Sequence, residues 1–232
     1  MISHQRKALF IHLGRTGGSS IESELKNLGF EHPTVELDVW HGERSENSDG
    51  SWTLQKASEP KTITSKEKHL TLEEYSLKYN LNNYYKFSIV RNPWSKMLSW
   101  YHYHKGMANN KKYDFKQWLS EVISNKCTNN MCSRDKSFER RHFCNQIDSL
   151  TIKGEYSMDF VGVFSNLTVD FRNVCNALSV ENKELPLLNP NAEASTNNRS
   201  FNLDYRRFYD KESEELVRRA FYKDIEYFNF KF

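Results

Sequence analysis

The chain has 232 residues, room for one sizeable α/β domain with a buried core. Aromatic residues make up 14%, a share that excludes a disordered or low-complexity chain because these side chains dominate burial. Thirty-three Lys and Arg against 30 acidic residues leave a formal charge of +3, too mild for a nucleic-acid binder but compatible with one basic pocket for a small polyanion.

The first apolar run, Ala8 to Leu13, is too short for a secretory core or for a membrane span, which needs about twenty apolar residues. A chain that begins this way is expected to be made and kept in the cytoplasm. The same run is dense enough for a buried parallel strand. The turn Gly14-Arg15-Thr16-Gly17-Gly18 follows it. A helix comes next, with Ile21, Leu25 and Leu28 at helical spacing, Ser19 or Ser20 as its N-cap and Gly29 as its stop. A short strand is expected at Leu37 to Trp40, then an irregular excursion to about Ser65, because that stretch is polar and lacks periodicity. Leu70 to Leu77 reads as a helix capped by Thr71, with Glu73 and Glu74 in its first turn.

A second strand–turn–helix unit runs from Tyr85 to Val90, through Arg91-Asn92-Pro93, into a helix carrying Trp94, Met97, Leu98 and Tyr101 at helical spacing. Phe115 to Ile123 is the next predicted helix, Phe160 to Phe164 a strand, and Leu167 to Leu178 a helix. A Pro- and Asn-rich loop covers Leu185 to Asn202, and a single closing helix runs from about Asp210 to Phe228. Alternating strands and helices, with no repeat or long linker, predict one domain over residues 1–232 built on a parallel sheet with helices on both faces.

The chemistry concentrates in the two turns. A glycine turn opening a helix presents unpaired N–H groups and the positive end of the helix dipole to an anion. Arg15 adds charge, and Thr16, Ser19 and Ser20 add hydroxyls, while Gly17 and Gly18 let the backbone come close. A purely structural glycine turn is the competing interpretation of this segment alone. The ATP-binding pattern of Gly, four residues and Gly-Lys-Ser/Thr is missing, which disfavours a magnesium-dependent kinase. In the second unit Arg91 closes a strand, and Ser99 lies two helical turns further on. Both can face one phosphate, although a surface ion pair would also explain Arg91.

Together the segments FIHLGRTGGSSIE and FSIVRNPWSKMLSWYHY resemble the two phosphate-binding motifs of the phosphosulfate-dependent sulfotransferases, chiefly the carbohydrate-type and bacterial branch. KHLTLEEY, DFVGVFSNLTVDF and AFYKDIEYF extend the likeness along nearly the whole chain. The resemblance implies a P-loop-like three-layer fold, a central parallel sheet flanked by helices. It also implies transfer of a sulfuryl group from 3′-phosphoadenosine 5′-phosphosulfate (PAPS) to a small-molecule or saccharide acceptor hydroxyl, with no metal, nucleic acid or membrane span. Arg15, Thr16, Gly17, Gly18, Ser19 and Ser20 would then hold the 5′-phosphosulfate, Arg91 and Ser99 the 3′-phosphate, and the segment Asn198-Arg199-Ser200 would correspond to a loop over the nucleotide. Nothing in the sequence bears on oligomeric state.

Arg15 departs from the family, which usually has Lys there. A guanidinium is planar and keeps its proton, yet the leaving group is a phosphate, so electrostatic stabilisation suffices for turnover. A non-catalytic adenosine bisphosphate-binding protein is the alternative that this change leaves open. His69 is the first candidate for the base that takes the acceptor's proton, His41 the second and His12 the third. Trp94, Trp100, Tyr101, His102, Tyr103 and His104 divide between packing and an acceptor cleft. Cys127, Cys132, His142 and Cys144 match no common zinc spacing, so reduced thiols are expected at these cysteines and at Cys175, a loop disulfide being the second reading. The acidic residues Glu212, Glu214 and Glu215 belong to a solvated helix face.

Overall fold

The computed structural model describes residues 1–39, 43–46, 52–55, 61–108, 114–128, 143–182, 184–186 and 204–232. In chain order the first elements are β1 (Ile2–Ser3), β2 (Ala8–Ile11), α1 (Gly18–Asn27), β3 (Thr34–Val39), β4 (Glu43–Glu46), β5 (Trp52–Gln55) and β6 (Lys61–Lys66). Then come α2 (Leu72–Lys78), β7 (Tyr85–Val90), α3 (Pro93–Ala108), α4 (Phe115–Thr128), β8 (Thr151–Ile152), β9 (Glu155–Tyr156) and β10 (Phe160–Val163). The remainder are α5 (Leu167–Ala177), α6 (Lys211–Ala220) and α7 (Tyr222–Tyr227). They form two compact units, one of Met1–Glu31 with His69–Phe232 and one of His32–Lys68.

The larger unit is mixed α/β, with a four-stranded sheet in the order β1-β2-β7-β10 flanked by helices. β2, β7 and β10 are parallel, and β1 is antiparallel to β2. Phe10 pairs with Phe87 and Ile11 with Ser88, so both chains leave the sheet at the same edge. Ala8, Phe10, Phe87 and Ile89 pack in one cluster with Ile21 and Leu25 of α1 and with Phe171 and Val174 of α5. Leu9, Ile11 and Val90, which alternate with them, are equally buried, so both faces of the sheet are covered. Each such side chain contributes roughly 1.5–3 kcal/mol on leaving water, which is why short apolar strands suffice here.

Helix α1 stops at Gly29 as expected, with Gly29 N–H donating to Lys26 O at 3.1 Å and Phe30 N–H to Leu25 O at 3.0 Å. The cap of α2 also matches its sequence. Glu74 N–H donates to Thr71 Oγ1 at 3.2 Å, and Thr71 N–H donates back to Glu74 Oε2 at 2.8 Å.

Three expectations are corrected. The stretch expected to be irregular forms antiparallel ribbons, with β3 pairing β6 from Thr34–Lys66 to Val39–Lys61 and β4 pairing β5. Their ladders satisfy the main chain without a continuous apolar run, and Val35, Leu37 and Val39 alternate along β3 as a strand requires. Trp40 and His41 lie outside the described residues. The single closing helix is two helices, because Phe221 leaves helical geometry at φ −121° and ψ 31° between α6 and α7. The sheet also gains β1, a two-residue strand too short to produce a periodic signal. No described helix is long and apolar enough to cross a membrane.

Candidate active site

The register of β2 against β7 brings residues 12–17 and Arg91 to one sheet edge. Arg91 Nη1 donates to the carbonyl oxygen of Arg15 at 3.0 Å, so the two turns touch. Arg15 Nε donates to Ser99 Oγ at 3.1 Å, and Arg91 Nε donates to Ser95 Oγ at 2.9 Å. Ser95 and Ser99 are one helical turn apart on α3, so each presents its hydroxyl to a different arginine of the cluster. Ser99, expected beside Arg91, therefore partners Arg15. Ser95 escaped notice, although its spacing of four from both Arg91 and Ser99 was there to be read.

Aromatic faces flank both guanidiniums. Arg15 lies 4.8 Å from the Tyr103 ring centroid and 6.0 Å from that of Trp100, and Arg91 lies 4.1 Å from that of Phe164. Burial pushes the Arg15 guanidinium down from its usual range. Arg91 is pushed down to about 9, first by burial and then by the charge of Arg15. A guanidinium keeps its proton at neutral pH, so the lowered value expresses an electrostatic cost of two crowded cations. Among the described residues, the hydrogen-bond acceptors of the Arg91 guanidinium are a hydroxyl and a carbonyl, both neutral. An anion between the arginines would relieve that cost.

The helix start differs from its expected form. Gly17, not Ser19 or Ser20, caps α1 in the left-handed region at φ 83°, and its carbonyl accepts from Ser20 N–H at 3.1 Å. A Cβ there would meet Leu167 Cδ2 at 2.7 Å, a long-range contact that local sequence does not announce. Arg15 also sits at positive φ, 64°, an uncommon state for a residue with a side chain and one that concentrates at functional sites. Thr16 is fully buried, and its hydroxyl donates to Leu13 O at 2.8 Å, which pins the loop. Gly18 and Ser19 supply the first N–H groups of the helix, which have no acceptor within it.

Two of the three candidate histidines lie together. His12 Nδ1 is 2.7 Å from Glu22 Oε1, with both side chains buried. His69 Nδ1 lies 2.9 Å from the carbonyl oxygen of His12, and the two rings are 4.5 Å apart. A carbonyl only accepts, so Nδ1 of His69 carries the hydrogen and Nε2 the lone pair in the neutral ring. Glu22 was missed by sequence reading. Its signal was a carboxylate on the apolar face of α1, among Gly18, Ile21 and Leu25.

The His12 ring also accounts for Gly18, where a Cβ would lie 2.0 Å from both Cδ2 and Nε2. Gly18→Ala is expected to cost about 3 kcal/mol, because the overpacking penalty against a pinned ring exceeds the roughly 1 kcal/mol that alanine gains in a helix. Thermal unfolding checks this, and the loss caused by Gly18→Ala should shrink when it is measured in a His12→Ala background, where the clashing ring is gone.

The aromatic cluster divides. Trp94 is fully buried with Nε1 donating to Glu214 O at 3.0 Å, and Tyr101 packs on Phe115 and Trp118. Trp100 and Tyr103 flank Arg15, and His102 meets Phe208 edge-on. The side chain of His104 lies outside the described residues, as do the side chain of Cys127, all of Cys132 and His142, and the segment Asn198-Arg199-Ser200. Cys175 is buried in the core cluster, and Cys144 is half-buried. No group of three potential metal ligands occurs among the described residues.

A family model described as "Sulfotransferase family" matches residues 1–231. The chain belongs to the sulfotransferase family. No curated protein and no solved structure matches it. As a sulfotransferase it is a transferase of sulfuryl groups.

Proposed function

We propose that this sulfotransferase moves a sulfuryl group from PAPS to an acceptor hydroxyl, most simply on a saccharide. The contact between the two turns carries the reading, with Arg91 Nη1 3.0 Å from Arg15 O and Arg15 Nε 3.1 Å from Ser99 Oγ. Two cationic turns this close suit the two ends of one adenosine bisphosphate. Arg15 to Ser20 take the 5′-phosphosulfate at the N-terminus of α1, and Arg91 with Ser95 and Ser99 takes the 3′-phosphate. We read the fold as P-loop-like and three-layered. Residues 1–232 form one sulfotransferase domain on this reading, with residues 32–68 as an insertion.

The donor supplies an activated sulfur whose leaving group is a phosphate. The acceptor oxygen forms its bond to sulfur as the bond from sulfur to the 5′-phosphate oxygen breaks, in line on the opposite side. Arg15 and the first N–H groups of α1 stabilise the charge that develops on that phosphate. Arg15 does this as a fixed charge, which fits its hydrogen bond to Ser99 and its stacking on Tyr103. His69 takes the acceptor proton at Nε2, and its Nδ1 contact with the His12 carbonyl favours the required tautomer. Trp100 and Tyr103 beside Arg15 support a saccharide, since sugars stack on aromatic faces.

The test has two arms. Adenosine 3′,5′-bisphosphate should raise the unfolding temperature, whereas ATP with magnesium should not, because only a ligand of the native state stabilises it. Labelled sulfate should then pass from PAPS to at least one member of a panel of sugars, phenols and lipids. Stabilisation by ATP with magnesium alone would point to a kinase and sink the proposal.

A further inference from the structure

Gln146 lies 55 residues from Arg91 in sequence, yet its side-chain amide pairs both ways with the main chain there. Arg91 N–H donates to Gln146 Oε1 at 2.9 Å, and Gln146 Nε2 donates to Arg91 O at 2.8 Å. The last ladder pair between β7 and β10 is Val90 with Val163, so Arg91 is the first residue past the sheet. The amide of Gln146 continues the ladder by one position with a side chain. It cannot be reversed in place. Asp224 Oδ2 accepts from Gln146 Nε2 at 3.0 Å and from Gln146 N–H at 2.8 Å, and a carboxylate only accepts.

Asp224 is fully buried on α7, and Gln146 is 1% exposed. Burial raises the Asp224 carboxyl, and the nearby Lys96 charge with the bonds from Gln146 and Ile147 works against that rise. Its other oxygen accepts from Ile147 N–H at 2.9 Å. A buried carboxylate that accepts three N–H bonds is a stiff anchor, since each unmade bond would leave a desolvated charge. Neither Gln146 nor Asp224 has a side-chain role in the chemistry proposed above.

We infer that Gln146, locked by Asp224, is a positioning residue that fixes the main chain of Arg91 and so aims its guanidinium at the 3′-phosphate. This rests on the proposed role of Arg91. Gln146→Met keeps the side-chain volume and removes both amide bonds to Arg91. Titration calorimetry of this variant should show adenosine 3′,5′-bisphosphate binding weakened about tenfold, and adenosine 5′-phosphate, which lacks the 3′-phosphate, by less than about twofold. Asp224→Asn should produce the same selective loss if Gln146→Met does not fold.

Equal losses for both nucleotides, or no loss for either, would overturn the inference in favour of a plain packing role. Wild-type protein and Arg91→Ala separate this from failure of the underlying reading. A wild type that binds the two nucleotides equally removes Arg91 from the 3′-phosphate, and the inference falls with it. A wild type that discriminates through Arg91 while Gln146→Met discriminates as well overturns the inference alone.

Discussion

His69→Ala is expected to lower turnover by about 10²- to 10⁴-fold, the range that a positioned general base contributes. Donor affinity should stay within about threefold of wild type, because the proposed phosphate contacts lie with the arginines and the helix start. The carbonyl of His12 orients the His69 ring through Nδ1, so the alanine variant loses an oriented base. Steady-state transfer of labelled sulfate to whichever acceptor responds, beside calorimetry with adenosine 3′,5′-bisphosphate, reads the two effects separately. Unchanged turnover would clear His69 of the role. Attention would then pass to His12, whose ring is 4.5 Å away and whose Nδ1 is held by Glu22.

Arg91→Ala is expected to weaken adenosine 3′,5′-bisphosphate binding by about 100-fold or more, the scale for truncating one partner of a buried charged pair. The free protein should lose little stability, and here the direction is the sharper prediction. The substitution removes two hydrogen bonds to neutral acceptors, each worth about 1 kcal/mol. It also removes a cation that burial and Arg15 both disfavour, as its lowering to about 9 records. These effects oppose each other, so the unfolding temperature without nucleotide should barely move while the rise on adding nucleotide disappears. Arg91→Lys restores the charge without the fork and should recover only part of the affinity. A variant that binds as tightly as wild type would take Arg91 out of the site.

Much of this was legible in the chain because it depends on local patterns. Ala8 to Ile11 and Tyr85 to Val90 are apolar enough to be parallel strands, and each runs through a turn into a helix, so two strand–turn–helix units followed from spacing alone. Thr71 with Glu74 similarly announces the start of α2. What sequence did not reveal depends on contacts across space. Gly17 caps α1 at a left-handed φ where a Cβ would meet Leu167 and Phe164, about 150 residues away by the numbering of the chain. Gln146 reaches Arg91 from a segment with no periodicity of its own. Glu22 reads as a misplaced charge until His12 is seen beside it. The ribbons were obscured because several of their strands are short and polar and carry no apolar alternation, as Glu43 to Glu46 illustrates.

Calorimetric titration of the wild-type protein with adenosine 3′,5′-bisphosphate tests the shared nucleotide most directly. A single site per chain is expected, with affinity falling when either phosphate is removed from the ligand, since each anchors to its own turn. Two independent phosphate sites, or equal affinity for adenosine carrying only one of the two phosphates, would mean that Arg15 and Arg91 do not hold one molecule between them.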